Sequence, residues 1–415
     1  MRSRFVCLLA IAAAALAVAV TPAGADPYDA QLQGRAISPD FFLTVPFLLG
    51  EVDFSTLGVS PAELATVGPQ SSSSGDGPNM FIVDDNRAQC PNAAFTSIQA
   101  AVLASGPGAH IRVCPGLYQE QVDVGPGHDG LTLFSQQPRQ AIIKAPPVMA
   151  DPGDIVRIHG SQNVSVRQFV ITGPLPDTLF CSLFTRTGVR VDQGASALLR
   201  DNRITEIRST DPLLRGCQNG IGVLVGRNFE MTTGTAWITH NQIDRYQKGA
   251  IVVDRAGSSA TIDHNLIAHG PPDVMVIAPN GVQVSRGAGG DVNHNVVTEN
   301  VGGTVGTGII IFEAGTGLVE VDHNDVFSND DGISFYDTDN GTVSHNDSRE
   351  QLFYDGLFMD ADSSGNVIDH NDAFLNAEHD CHDDSVGGGT AGTANFWIRN
   401  KGNTENRPGL CKSAP

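Results

Sequence analysis

One short phrase returns along this chain and limits what the chain can become. It reads Thr239-His240-Asn241, Asp263-His264-Asn265, Asn293-His294-Asn295, Asp322-His323-Asn324, Ser344-His345-Asn346 and Asp369-His370-Asn371. Asp201-Asn202 precedes the series and Ile398-Arg399-Asn400 closes it. Successive asparagines stand 39, 24, 30, 29, 22, 25 and 29 residues apart. A mark recurring at roughly this interval is the signature of stacked similar units. A second mark keeps pace: glycine leading alternating apolar residues, as in Gly188-Val-Arg-Val, Gly220-Ile-Gly-Val, Gly249-Ala-Ile-Val, Gly281-Val-Gln-Val, Gly308-Ile-Ile-Ile, Gly332-Ile-Ser-Phe and Gly356-Leu-Phe-Met. Period-two alternation predicts short strands. A unit of two or more such strands cannot bury its apolar face alone. Stacked on its neighbours, each strand pairs in parallel with its counterpart one coil away.

The expected fold is therefore all-β: a right-handed parallel β-helix of about ten to twelve coils, spaced by the usual interstrand distance of about 4.8 Å. The asparagines are read as scaffold. Asn tolerates left-handed backbone angles, and its amide both donates and accepts, so one Asn per coil can form a hydrogen-bonded ladder along the turns.

The ends of the chain are less regular. Arg2 and Arg4, the apolar run Phe5 to Val20 and the small residues Ala23-Gly24-Ala25 predict an export signal over 1–25. Residues 26–79 form a pre-segment ending in a Ser/Gly linker, and the β-helix domain is expected over 80–415. Thr96 to Ala104 reads as a short helix stopped by Gly106-Pro107-Gly108, a helical cap on the first coil. Without the leader's two arginines, 23 basic residues face 46 acidic ones, a formal charge of −23. That balance argues against a nucleic-acid partner. No later stretch is apolar enough to span a membrane, so a secreted, extracellular monomer is expected. Six cysteines remain, an even count in an exported chain. Fifteen pairings are open, and proximity favours Cys90–Cys114, Cys181–Cys217 and Cys381–Cys411.

Phe95-Thr-Ser-Ile-Gln-Ala-Ala-Val102 followed by Ile111-Arg-Val-Cys-Pro-Gly-Leu-Tyr-Gln-Glu120 resembles the opening of secreted right-handed β-helix proteins of the pectin-lyase-like group. The later Gly-Ile and His-Asn repeats resemble those of periplasmic copper-assembly β-helix proteins. The resemblance covers about Met80 to Cys411 and implies the fold. The group holds lyases, hydrolases, esterases, epimerases and proteins without a known reaction, so it implies no single activity.

Three groups of residues are candidates for chemistry. The first is the histidine row, His240, His264, His294, His323, His345 and His370, good ligands for copper or zinc but spread along a line rather than converging. The second is an acidic line following the Gly-led strands: Asp192, Asp254, Glu313, Asp337, Asp360 with Asp362, and Asp384. Neighbouring carboxylates invite a hard cation, and Asp337, Asp360 and Asp384 are the expected Ca²⁺ ligands. Asp360 and Asp362 are also candidate general acid and base for glycan chemistry. Tyr336 and Tyr354 can stack on sugar rings, and Arg286 can hold a substrate carboxylate. The bland alternative is a row of solvated turns.

The third is Glu378-His379-Asp380-Cys381-His382-Asp383-Asp384-Ser385. It resembles the Asp-Pro-His-Asp-x-Ser motif of mannuronan C5-epimerases, carried by Asp380, His382, Asp383 and Ser385. In that family the motif moves a sugar C5 proton, which implies catalytic roles for Asp380, His382 and Asp383. Cys381 stands at the proline position. The paired signatures of pectin methylesterases and calcium-dependent pectate lyases are absent. The expected function is binding and processing of an extracellular polysaccharide by a lyase or epimerase-type reaction, with Ca²⁺ as the candidate cofactor. A non-catalytic adhesion solenoid and a copper-handling protein are the alternatives.

Overall fold

A computed structural model describes residues 79–177, 185–270, 278–302 and 305–412. The export signal, the pre-segment and Cys181 lie outside the described residues. Three parallel sheets run the length of the chain, of twelve, ten and ten strands. The first extends from Met80–Val83 to Phe396–Ile398, the second from Val122–Val124 to Cys381–Asp383, and the third from Gly116–Gln119 to Asp372–Phe374. One coil takes a strand from each: Gly249–Asp254 in the second sheet, Ser259–Asp263 in the first, Leu266–Ala268 in the third. Each then pairs in register with its counterpart one coil on, for instance Ile251 with Val282, Ile262 with Val292 and Ile267 with Val297. The expected parallel β-helix is what the chain forms.

Register decides the core. In the second sheet Val189, Val223, Ile251, Val282, Ile309, Ile333, Leu357 and Cys381 stand one above another. They belong to a single interior cluster that runs from end to end. The alternate residues face outward: Arg190, Leu224, Val252, Gln283, Ile310, Ser334, Phe358 and His382. These outward residues are nonetheless buried, so this sheet is covered on both faces.

The asparagine ladder is continuous. From Asn202 through Asn241, Asn265, Asn295, Asn324, Asn346 and Asn371 to Asn400, each amide nitrogen donates to the next Oδ1 at 2.9–3.1 Å. Each backbone N–H donates to that same oxygen. One expectation is corrected. The left-handed residue is the histidine before each Asn, with φ between 52° and 55° from His240 to His370. The histidine takes the bend so that the Asn side chain points inward to the turn's backbone groups.

At the N-terminal end the helix Ile98–Ala104 packs on the first strands and buries Ile98, Ala101 and Val102. Its free N–H groups are met by a carboxylate: Glu120 accepts from the backbone of Ile98 at 2.8 Å and Gln99 at 2.9 Å. Cys90–Cys114 and Cys381–Cys411 are disulfides, one near each end. Cys217 is also disulfide-bonded. No described helix is long and apolar enough to cross a membrane.

Candidate functional site

The outer face of the second sheet changes character toward the C-terminus. Strand Asp331–Tyr336 contributes Tyr336, Leu357–Met359 contributes Phe358, and Cys381–Asp383 contributes His382. Cys381 and Asp383 flank His382 and point into the solenoid, which leaves the imidazole as that strand's outward side chain. Tyr336 and Phe358 lie 5.3 Å apart by ring centroid, and the edge of His382 meets Phe358 at 5.0 Å.

His382 is held from both ends. Its Nδ1 lies 3.0 Å from Asp355 Oδ2, and its Nε2 lies 3.0 Å from Asp384 Oδ1. Asp355 is fully buried, whereas the Asp384 side chain is 48% exposed. Burial alone would pull the imidazole's pKa down. Hydrogen bonds and charge from Asp355, then from Asp384, outweigh it and raise the value to about 9. A second imidazole joins from the preceding loop: His379 Nδ1 lies 3.4 Å from Asp355 Oδ1, and the two rings meet edge to face at 4.9 Å. His379 Nδ1 is closed off from solvent and makes no hydrogen bond. Asp355 is itself fixed, since its Oδ1 accepts the His379 N–H and its own N–H donates to Asp331. Half-buried Tyr354 stands beside the aromatic pair. The arrangement can hold or pass a proton along Asp355–His382–Asp384, or gather a cation at Asp355.

The other expected site residues divide clearly. Asp380 is buried and accepts from Asn376, Asn403 and Thr404. Asp383 is buried and inward, accepting from Ser385, Asn395 and the Trp397 indole. Both are consumed by the scaffold and neither faces His382's outer side. Asp360 follows the strand next to Asp384's, but its Oδ1 accepts the Ser363 hydroxyl and the Asp337 N–H. Burial raises its pKa. Asp362 and Asp337 are exposed. Among the described residues three groups bring potential metal ligands within 4.8 Å of one another, and none contains Asp337, Asp360 or Asp384. The expected calcium set does not converge. Arg286 pairs with Asp254 at 3.0 Å, four coils from His382 and so roughly 19 Å away. It does not share the site.

The acidic line splits for a structural reason. Asp254 is in register with Ser285, Phe312 and Tyr336, so it lies on the sheet, while Glu313 and Asp337 are left-handed turn residues one position later. The sequence places Asp355 in the dense acidic end of the chain and His379 in the stretch Glu378 to Ser385, but assigns neither a role. Both lie in a connecting loop, outside any repeated phrase. The one available signal was their position just before the strands that carry Phe358 and His382.

The histidine row forms a true stack, with successive rings 4.8–5.1 Å apart and within 7° of parallel. Surface depressions lie elsewhere, on the outer face of the first sheet, lined by Ser196, Thr235, Trp237, Thr261 and Asp291 among others. They hold no convergent ionisable set.

The model of the right handed beta helix region matches residues 154–348 and, overlapping, 228–401. The chain belongs to that family. No curated protein matches it. Among solved structures, XylC in complex with xylose shares 11% identity, covering 77% of this chain and 71% of that one, with a TM-score of 0.53. The periplasmic alginate epimerase AlgG, as a double mutant, shares 13% identity, covering 71% of this chain and 63% of that one, with a TM-score of 0.39. The pectin methylesterase from Aspergillus niger shares 11% over 72% and 86%, TM-score 0.33. The likeness to XylC extends to the fold.

Proposed function

We propose that the protein is secreted and binds an extracellular polysaccharide at the C-terminal end of the second sheet, where the exposed Asp384 opens the His382 cluster to solvent. The reaction centre is Asp355, His379, His382 and Asp384. The observation that carries this reading is His382 itself, gripped by a buried carboxylate on one nitrogen and a half-exposed one on the other. A carboxylate on each nitrogen of one imidazole, one buried and one open to solvent, suits a proton transfer. The reaction class is lyase or epimerase type. In both, a proton leaves a carbon next to a carboxylate, and Asp384 is placed to take it and the His382 imidazolium to return one. The disulfides fit the oxidising surroundings of an exported protein. Trp237, half exposed on the first sheet, supports a second reading in which glycan is held there without turnover.

A panel of neutral and uronate polysaccharides tests this. New unsaturated ends are read by ultraviolet absorbance and epimerisation by NMR, for the wild type and for His382→Gln and Asp384→Asn. Activity that falls at least about a hundredfold in both variants supports the reading. Activity unchanged in His382→Gln overturns it, and glycan binding abolished by Trp237→Ala alone moves the function to the first sheet.

A further inference from the structure

Asp355 is an odd residue for a simple hydrogen-bond role. It is fully buried, yet two imidazole nitrogens converge on it, one on each oxygen. For His382 the contact is a good hydrogen bond. For His379 it is not: Nδ1 lies 3.4 Å from Oδ1, is sealed from solvent, and has no hydrogen-bond partner among the described residues. A buried ring nitrogen without a partner is costly unless something else occupies its lone pair.

The geometry points to a divalent transition-metal site formed by Asp355, His379 and His382, a deepening of the polysaccharide-processing reading on which its catalytic meaning rests. All three ligand atoms lie within 4.8 Å of one another. Metal–ligand bonds of about 2.0–2.2 Å in a tetrahedral set put ligands about 3.3–3.6 Å apart. The two imidazole–carboxylate separations, 3.0 and 3.4 Å, already approach that edge length. Two nitrogens and one oxygen select an ion of the zinc class and disfavour Ca²⁺, which takes six or more oxygens. The surroundings match as well. A ligating imidazole commonly donates its far N–H to a carboxylate, and His382 Nε2 has Asp384 for this at 3.0 Å. Asp355 is oriented by backbone N–H from His379 and by Asp331. Three protein ligands leave the fourth position for water or a sugar oxygen.

The Asp322, His323 and His345 group on the histidine stack is the competing location. Its rings are near-parallel with centroids 4.8 Å apart, and both imidazoles are about half exposed. Parallel rings do not aim at a common point, whereas His379 and His382 are inclined at 78°.

The test uses the full chain, stripped with chelator and titrated calorimetrically with Zn²⁺, and separately with Co²⁺ read by its visible absorption. The expected result is one saturable site per chain whose affinity drops at least tenfold in His379→Gln and in His382→Gln. It is unchanged in His345→Gln. His379 makes no side-chain hydrogen bond, so His379→Gln should keep the wild-type melting temperature without metal, which guards against a folding artefact. No saturable Zn²⁺ binding, or binding lost only in His345→Gln, overturns the proposal. Glycan turnover that persists in a chain binding no metal overturns the metal site alone. Metal bound as described, with no glycan processed, supports the site and removes the polysaccharide reading.

Discussion

At the scale of single residues the turns set most of the energetics. Asn324 shows why. Its amide donates to Val292 O, Asp322 O and Asn346 Oδ1, and its Oδ1 accepts two N–H groups of Asn295, all out of water. Replacement by Ala strands several buried groups at once, at about 1–3 kcal/mol for each left without any partner. We predict that Asn324→Ala destabilises by about 3–5 kcal/mol, while His323→Ala next to it, half exposed, costs less than about 1 kcal/mol; chemical denaturation measures both. Asp330 is the opposite case. Burial drives its pKa well above the usual carboxylate range, partly offset by N–H groups of Gly302 and Gly306. In that state the folded chain holds a proton that the unfolded chain releases above its ordinary value near 4. Stability from this group is therefore full at low pH and is lost as pH rises through the folded value. Asp330→Asn should flatten the fall in melting temperature as pH rises above about 4, which thermal unfolding across a pH series measures.

At the scale of the coil, the sequence announces the ladder that carries His beside Asn and is silent about its twin. Asn300, Asn329, Gln351 and Asn376 form a second ladder at the next turn, again with a left-handed residue before each: Glu299, Ser328, Glu350 and Leu375. Each member stands five residues after a member of the first ladder, at Asn295, Asn324, Asn346 and Asn371. The spacing was legible, but the varied preceding residue and the Gln hid the repetition. The proposed centre is half legible for a related reason. His382 sits on a strand, where alternation fixes its direction and turns Asp383 away from it, while Asp380 precedes that strand and is taken up by Asn376, Asn403 and Thr404. Asp355 and His379 sit on a loop whose path no period dictates. The last coil has one neighbour instead of two, and the Cys381–Cys411 disulfide closes a 30-residue separation there, immediately before His382. Replacing both cysteines by Ser should cost about 2–4 kcal/mol. Hydrogen exchange should show the loss confined to the coils after about residue 355. Turnover should fall with them, while coils near Asn241 keep their protection.

For the whole molecule the relevant quantity is its charge, formally −21 over 415 residues. A rod so acidic repels a polyanion at distances set by the ionic atmosphere, about 10 Å at 0.1 M salt and longer below that. The reaction centre does not reverse the sign locally. His382 carries one positive charge between Asp355 and Asp384, and Asp360 and Asp337 lie in the adjoining coils. Two opposing salt effects follow for a uronate polymer. Screening weakens its attraction to the His382 imidazolium but also relieves the repulsion from the acidic rod. The contact at His382 is buried and short, so salt reaches it poorly, whereas the repulsion is long-ranged and passes through solvent. Relief should win. We predict that binding of a uronate polysaccharide tightens about three- to tenfold between about 20 and 300 mM NaCl, while a neutral glycan changes by less than about twofold. Calorimetry or affinity electrophoresis separates the two. Uronate binding that instead weakens with salt would show that a local cation, such as a metal ion at Asp355, His379 and His382, outweighs the charge of the whole rod.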